Sequence, residues 1–389
     1  MYHSVIGKPS LRVGLLMGLL LIGLSLLLLS ACGGKNSAKG GAGGEHKNSA
    51  SGDSAATNGQ IAFRSFFDQD QTEGANFTMN PDGSHVSQIT HPPNGWIDDS
   101  TDWAPDGERL AFDRHTPKDM SRIMVVDADT GDTREVTHCG SGNPWAMVDP
   151  TPSHPHPCEG DFFPAFSPDG RSIAFGRYSG GTKPCCWLQG IWIVGADGSN
   201  PHQVTNVDET PSWSFTDWAS EFSPDGKKLV FDRSTNRKHE EDEHHAVFVQ
   251  PIDSSGKPED ARQLTPWKME CQDAPEYSPD GKLVLFRCLP KGEDGPSNLY
   301  WVHPDGTGLH QLTHSSPDDE PYYLSQSFSP SFSDGEGWIT VGRTPGYDEG
   351  NSDVFRLLIK DGEVARSVNL TKSALWDSAP GWGTHPPVH

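Results

Sequence analysis

Residues 164–175 read Pro164-Ala165-Phe166-Ser167-Pro168-Asp169-Gly170-Arg171-Ser172-Ile173-Ala174-Phe175. An aromatic residue leads into a Ser-Pro-Asp-Gly turn, and an aliphatic strand ending in Phe follows. Ser, Pro and Gly at the first, second and fourth positions suit a type I turn, so the stretch predicts a β-hairpin. The same shape recurs at residues 103–112, 222–231 and 277–286.

The hairpins repeat at a fixed period. Asp169 to Asp225 spans 225 − 169 = 56 residues, and Asp225 to Asp280 spans 280 − 225 = 55. A second marker, an aliphatic residue followed by Thr, occurs in six copies at residues 88–90, 135–137, 203–205, 263–265, 311–313 and 369–371. Each period therefore offers four short strands, which is one blade of a β-propeller. The chain is predicted to be all-β, with six blades.

The two ends of the repeat region predict how the ring closes. The first blade begins at Ile61 with what should be its second strand, so its first strand is missing. The C-terminal Ala379-Pro380-Gly381-Trp382 matches Ala274-Pro275-Glu276-Tyr277, which opens the fifth blade. We therefore expect the C-terminal strand to pair with the N-terminal blade and close the propeller without a free edge.

The repeated aromatic-Ser-Pro-Asp-Gly, the aliphatic strand ending in Phe and the Gln-Leu-Thr that follows resemble the WD-like repeats of the TolB-type six-bladed propeller. The resemblance covers residues 60–382, and it implies fold more than function. Propellers serve as binding modules, as lyases and as appendages of peptidases, so the function has to be argued from a site.

The N-terminus predicts export and anchoring. Residues 1–31 carry Lys8 and Arg12 before an apolar run and end in Leu29-Ser30-Ala31, followed by Cys32. This ending resembles the bacterial lipoprotein signal, which implies that Cys32 is lipidated; the alternative is a plain transmembrane anchor, for which the run is short. Residues 32–59 are rich in Gly, Ser and Ala and form a flexible tether with a reach of about 30 Å. Residues 60–389 are the propeller.

The composition of the chain limits the classes of partner that it is expected to bind. The formal net charge of −23 argues against nucleic acid and against a charge-driven grip on anionic lipid. We expect a monomer on the extracytoplasmic face of the cell membrane, held there by its lipid alone.

Besides Cys32, six cysteines remain in an exported chain, an even number that predicts disulfides. Cys271 precedes the first strand of the fifth blade and Cys288 ends its second, so these two should meet. For Cys139, Cys158, Cys185 and Cys186, two arrangements stay open. Either Cys139 pairs with Cys158 and the adjacent cysteines pair with each other, or the two sets cross-pair.

Acidic residues recur ahead of the first strand in five blades, and these strands line the central channel of a propeller. They are Asp98, Asp161, Asp217, Asp273 and Asp377. They are candidates for a mouth that binds a cation or a basic segment. The alternative is that each one bonds locally to turns or backbone N–H groups, which suits a position that repeats with the fold.

A second candidate site lies in the His-rich stretch 239–245. His239, His244 and His245, together with the acids between them, could hold a divalent cation, although a solvated loop explains the same composition. No other cofactor is expected.

The sequence contains no Gly-x-Ser-x-Gly, His-Glu-x-x-His or phosphate-loop motif. The leading hypothesis is thus a non-enzymatic scaffold that binds a protein, a peptide or a component of the cell envelope. The alternative is a metal-dependent carbohydrate-active enzyme, a lyase or hydrolase of propeller fold.

Overall fold

A computed structural model describes residues 58–116, 121–138, 158–180, 187–205, 214–236, 244–253, 260–289, 297–315, 322–344 and 351–388. The protein is all-β: these residues form 24 strands, and their single helical segment is the 3-10 turn Trp267–Met269. The strands group into six antiparallel units of four, which correspond to the predicted blades.

Blades one to three occupy the first half of the chain. From the inner to the outer strand, their members are β24 (Asp377–Gly383), β1 (Gln60–Phe66), β2 (Gly74–Met79) and β3 (Ser87–Gln88); β4 (Ile97–Trp103), β5 (Arg109–His115), β6 (Arg122–Asp127) and β7 (Thr133–Glu135); and β8 (Cys158–Phe166), β9 (Ser172–Gly180), β10 (Trp187–Gly195) and β11 (His202–Gln203).

Blades four to six complete the fold. In the same order, their members are β12 (Ser214–Phe222), β13 (Lys228–Asn236), β14 (His244–Pro251) and β15 (Arg262–Gln263); β16 (Cys271–Tyr277), β17 (Val284–Cys288), β18 (Asn298–Val302) and β19 (His310–Gln311); and β20 (Tyr322–Phe328), β21 (Gly337–Thr344), β22 (Asp353–Lys360) and β23 (Glu363–Asn369).

The C-terminal strand pairs with the first blade, as the sequence predicts. In the β24–β1 ladder, Trp382 lies opposite Ile61 and Asp377 lies opposite Ser65. Blades one and two are also joined by one parallel pair, Gly74 with Ile97, so that their eight strands form one hydrogen-bonded sheet.

The inner strands lie around one axis. Each of β24, β4, β8, β12, β16 and β20 contacts the inner strand of the blade before it and of the blade after it. Six buried clusters fill the spaces between consecutive blades; one of them packs Trp338 and Val354 of blade six against Ile61 and Trp382 of blade one. Side chains on both faces of each sheet are buried in this way, so strands such as β17 and β18 are buried at every position.

The Ser-Pro-Asp-Gly turn has a defined hydrogen-bond pattern. Gly170 N donates to the Ser167 carbonyl oxygen at 2.8 Å, and Gly170 has a positive φ of 66°. Ser167 Oγ donates to Asp169 Oδ1 at 2.6 Å, and Ser172 N donates back to Ser167 Oγ at 2.9 Å. The turns at Ser223 and Ser278 repeat this pattern. The carboxylate of the repeated Asp therefore accepts a hydrogen bond within its own turn and stabilises that turn.

The Thr marker also has a structural role. In all six blades the Thr hydroxyl accepts a backbone N–H from the third strand, as between Ile191 N and Thr205 Oγ1 at 2.9 Å. The aliphatic residue before each Thr, such as Val204, is buried. The marker thus fastens the outermost strand of each blade.

Candidate binding channel

Three of the five acids predicted at the mouth are buried in ion pairs. Asp98, Asp161 and Asp217 have fully buried side chains, and each lies on an inner strand opposite an arginine of the second strand. Both oxygens of each carboxylate accept from that arginine, at 2.6–2.9 Å. The three pairs are Asp98–Arg114, Asp161–Arg177 and Asp217–Arg233.

Aromatic rings hold these arginines in place. The Arg177 guanidinium lies 5.1 Å from the centre of the Phe175 ring, two residues earlier in the chain, and 4.7 Å from the centre of the Trp192 ring. Arg233 lies 5.3 Å from Phe231 and 4.9 Å from Phe248. Stacking and bidentate bonding together leave these carboxylates occupied. The geometry therefore favours the structural interpretation of these positions over ligand binding.

The remaining two acids predicted at the mouth, Asp273 and Asp377, are not described as partners of an arginine. Asp377 is 3% exposed and faces Ser65 rather than an arginine, and burial raises its pKa. Asp273 lies on β16, and its side chain is outside the described residues.

A second set of acids, four residues further along two of the same strands, has no arginine. Asp102 on β4, Glu221 on β12 and Glu276 on β16 directly precede the aromatic residue that enters each turn. Asp102 Oδ2 accepts the backbone N–H of Phe166 in the next blade at 2.6 Å. Glu276 Oε1 accepts the backbone N–H of Phe328 at 3.2 Å. Asp102 and Glu276 therefore each bridge two neighbouring inner strands.

The pKa values of all three carboxylates are raised. Burial raises the pKa of Asp102 to about 7. Burial, and then the charges of Asp102 and Glu276, raise the pKa of Glu221 well above its ordinary value. The pKa of Glu276 is raised to about 8 by burial, with a further contribution from Asp102. All three residues are partly exposed.

The channel carboxylates Asp102, Glu221 and Glu276 do not stand out in the sequence, because the other three blades place Ala165, Ser327 and Gly381 at the same position. The sequence signal that could have identified them is an acidic residue immediately before the aromatic residue that enters the turn. The paired arginines were not predicted either. The sequence does carry a signal for them, a Phe-x-Arg pattern whose arginine follows the paired Asp by 16 residues, at Phe112-Asp113-Arg114, Phe175-Gly176-Arg177 and Phe231-Asp232-Arg233.

Each inner strand has a β-bulge in its pairing with the second strand. On β4 and β12 the bulge lies between the paired Asp and the channel carboxylate. The register shifts between Asp99 and Asp102 on β4, between Phe162 and Ala165 on β8, and at the corresponding place in the other four blades. Ser100 and Phe163 have positive φ there. The bulge bends the strand, so that the paired Asp and the channel carboxylate lie on either side of it.

The His-rich stretch lies partly outside the described residues, which exclude His239. His244 Nδ1 lies 2.5 Å from Glu270 Oε1, and His245 Nδ1 lies 3.7 Å from Asp232 Oδ2. Within the described ranges, no group of three His, Cys, Asp or Glu side chains is arranged to hold a metal ion. The cation site therefore stays a prediction.

The Cys271–Cys288 disulfide is present, and the two residues lie opposite each other in the β16–β17 ladder. This pairing is confirmed. Cys139, Cys185 and Cys186, the side chain of Cys158 and the lipidation residue Cys32 lie outside what the structure describes. In the described part of the chain, no helix has the length and apolar character needed to cross a bilayer.

Comparison with solved structures identifies the class of fold. The chain is similar to TolB from Acinetobacter baumannii (TM-score 0.50, 18% identity, 85% of this chain and 67% of that one) and to a TolB protein from Agrobacterium tumefaciens (0.50, 18%, 85% and 93%). It is also similar to hydrazine synthase from Kuenenia stuttgartiensis (0.58, 12%, 85% and 48%). At these identities the likeness shows a TolB-like propeller fold. No family model and no curated protein matches the chain.

Proposed function

We propose that this protein is a lipid-anchored, extracytoplasmic binding module whose channel receives a cationic segment of a protein or peptide partner. The anchoring part rests on Leu29-Ser30-Ala31-Cys32 and the Gly-rich tether that follows. The binding part rests on the channel carboxylates Asp102, Glu221 and Glu276. The TolB-like fold supports a channel of this kind and does not identify the partner.

One observation carries the binding proposal: the channel carboxylates have no cationic partner among the described residues, whereas the neighbouring acids have arginines. Burying several like charges raises the free energy of the empty channel, and protonation is one way to relieve it. An entering lysine or arginine side chain is another, because it supplies the opposite charge in a poorly hydrated place. The position of the carboxylates on three different blades suits a segment that enters along the axis.

The test is a binding measurement with a synthetic oligolysine peptide, with oligoglutamate as the charge control. The triple variant Asp102→Asn/Glu221→Gln/Glu276→Gln should lose most of the oligolysine affinity. A matched variant, Glu108→Gln/Asp129→Asn/Asp132→Asn, removes the same three charges from exposed positions and should keep it. Equal loss in both variants would mean that the peptide responds only to the net charge of −23.

Anchoring is tested separately. The wild-type protein should partition into the detergent phase in a phase-separation assay, and Cys32→Ala should accumulate as an unprocessed precursor. Recovery of the mature wild-type protein in the aqueous phase would refute the anchor without bearing on the channel.

A further inference from the structure

A second candidate site lies at the end of the propeller that carries the Ser-Pro-Asp-Gly turns, here called the turn face. A depression of about 430 Å³ opens there between blades four and five. Its polar lining comes from separate segments of the two blades. These residues are Lys228, Arg262, Lys282, His303, Asp305 and Thr307.

The depression is positively charged in an acidic protein. The chain has 53 Asp and Glu against 30 Lys and Arg, yet three of those cations line this one cavity beside a single carboxylate. That carboxylate, Asp305 Oδ1, accepts Thr307 N at 2.9 Å and Thr307 Oγ1 at 2.6 Å within its own turn. These bonds lower the pKa of Asp305 and commit its oxygen to the turn.

The cations keep donors available. The Arg262 guanidinium donates through Nη2 to the backbone oxygen of Asp305, which leaves its other N–H groups uncommitted by that bond. Lys282 contacts Asp280 and Asp334, but its side chain is 58% exposed and that of Asp334 is 76% exposed. An ion pair this exposed contributes little, so Lys282 can exchange it for another anion.

Lys228 lies at the start of β13, next to the turn that contains Asp225. The Asp225 carboxylate accepts Ser223 Oγ at 2.6 Å and the Lys227 N–H at 3.1 Å, so the turn again engages the nearby acid. Across the depression, His303 is oriented by its Nδ1, which donates to the Lys282 carbonyl oxygen at 3.0 Å. Donors thus surround the depression from several directions.

We infer that this depression binds a phosphate group. A forked guanidinium and two ammonium groups match the several oxygens and the charge of a phosphate better than they match a single carboxylate. The proposal is independent of the channel.

The position of the site suggests two sources for the phosphate. Trp382 Nε1 donates to the Asn58 carbonyl oxygen at 3.0 Å, and His385 Nδ1 contacts Gly107 O at 2.6 Å, in the Ala104-Pro105-Asp106-Gly107 turn that blade two has in place of Ser-Pro-Asp-Gly. Asn58, where the described part of the chain begins, therefore lies at the turn face, on the side that carries the depression. Either a soluble phosphate ester or a phospholipid headgroup could reach it there.

The experiment is calorimetric titration of the full-length protein, in micelles of neutral detergent, with glycerol 3-phosphate. Lys228→Gln/Arg262→Gln should weaken binding about tenfold or more, because each variant side chain loses a charge-assisted hydrogen bond. The control Arg171→Gln/Lys227→Gln removes two exposed cations from neighbouring turns and should bind like the wild type.

Repeating the titration with phosphatidylglycerol in the micelles, and with phosphatidylcholine as the neutral comparison, separates the sources. If phosphatidylglycerol weakens the binding of glycerol 3-phosphate and phosphatidylcholine does not, the site is assigned to an anionic lipid headgroup. If neither lipid competes, the site is assigned to a soluble phosphate. The inference is overturned if the wild type gives no heat of binding. It is equally overturned if sodium chloride at matched ionic strength reproduces the heat, or if the Lys228/Arg262 variant binds as the wild type does.

Discussion

The inner strands carry two kinds of acid only four residues apart. Asp98 and Asp217 are fully buried, and each is held by an arginine of the next strand. Asp102 and Glu221, four residues later on the same strands, are half-buried and have raised pKa values; for Glu221, the charges of Asp102 and Glu276 contribute to the raised pKa after burial. The first kind repeats in three consecutive blades and holds each blade together. The second kind breaks the repeat, and a departure from the repeat is where a propeller can place chemistry of its own.

Breaking a buried ion pair should give the largest effect. Arg233 is 2% exposed, and Arg233→Met leaves the Asp217 carboxylate buried without its partner. We expect the free energy of unfolding to fall by about 3–5 kcal/mol, measured by urea denaturation. The exposed control Arg171→Met should change it by less than about 0.5 kcal/mol.

The double variant Asp217→Leu/Arg233→Met sharpens this test, since it removes both charges and should recover much of the loss. A loss below about 1 kcal/mol in Arg233→Met would show that the pair does not hold the blade, and the distinction between the two kinds of acid would fail.

Removing a channel carboxylate should have the opposite sign. The pKa values of Asp102, about 7, and Glu276, about 8, exceed their ordinary values of 3.8 and 4.5. The folded protein therefore holds more protons than the unfolded chain between about pH 4 and pH 8, and these groups make it less stable as the pH rises through that window.

Asp102→Asn cannot ionise and can still accept the Phe166 N–H through its amide oxygen. We expect it to gain at least about 1.4 kcal/mol at pH 8, the equivalent of one pKa unit, and to gain little at pH 4. Urea denaturation at both pH values measures this, with Asp129→Asn as the exposed control. A variant that is less stable than the wild type at pH 8 would place Asp102 with the structural acids.

A third kind of acid should give the smallest effect. Asp169 is in the Ser-Pro-Asp-Gly turn and accepts from Ser167 Oγ and Arg171 N; the hydrogen bond from Ser167 is the main cause of its lowered pKa. Because the turn is exposed, Asp169→Ala should cost only about 0.5–1 kcal/mol. The loss should be present at pH 7 and should shrink as the pH falls below about 3.8, where the unfolded carboxyl is protonated. Thermal unfolding at pH 7 and pH 3 checks it, and a pH-independent loss would contradict it.

The features that could be predicted from the sequence are those whose residues lie close together in the chain or repeat at a fixed period. The hairpins, the Thr marker and the Cys271–Cys288 pair depend on local or periodic patterns, so they could be read from the chain. The pairing of Asp161 with Arg177 depends on register across a bulge, and a repeat of acids alone suggested a mouth instead. The channel carboxylates depend on three blades converging on one axis, and at their position Ala165 stands in the blade between Asp102 and Glu221. A search for repeated residues does not find such a site, because the site is made of residues that differ from one blade to the next.

The seam between the chain ends has a mechanical consequence. β1 lies between β24 and β2 and runs antiparallel to both, so its ladders flank it on either side. The described part of the chain begins at Asn58, two residues before this strand. A force applied at Asn58 along the axis of β1 would load the inter-strand hydrogen bonds, which lie perpendicular to the strands, together in shear. They could not be peeled apart one at a time. The start of the described chain is thus held by two ladders rather than by one.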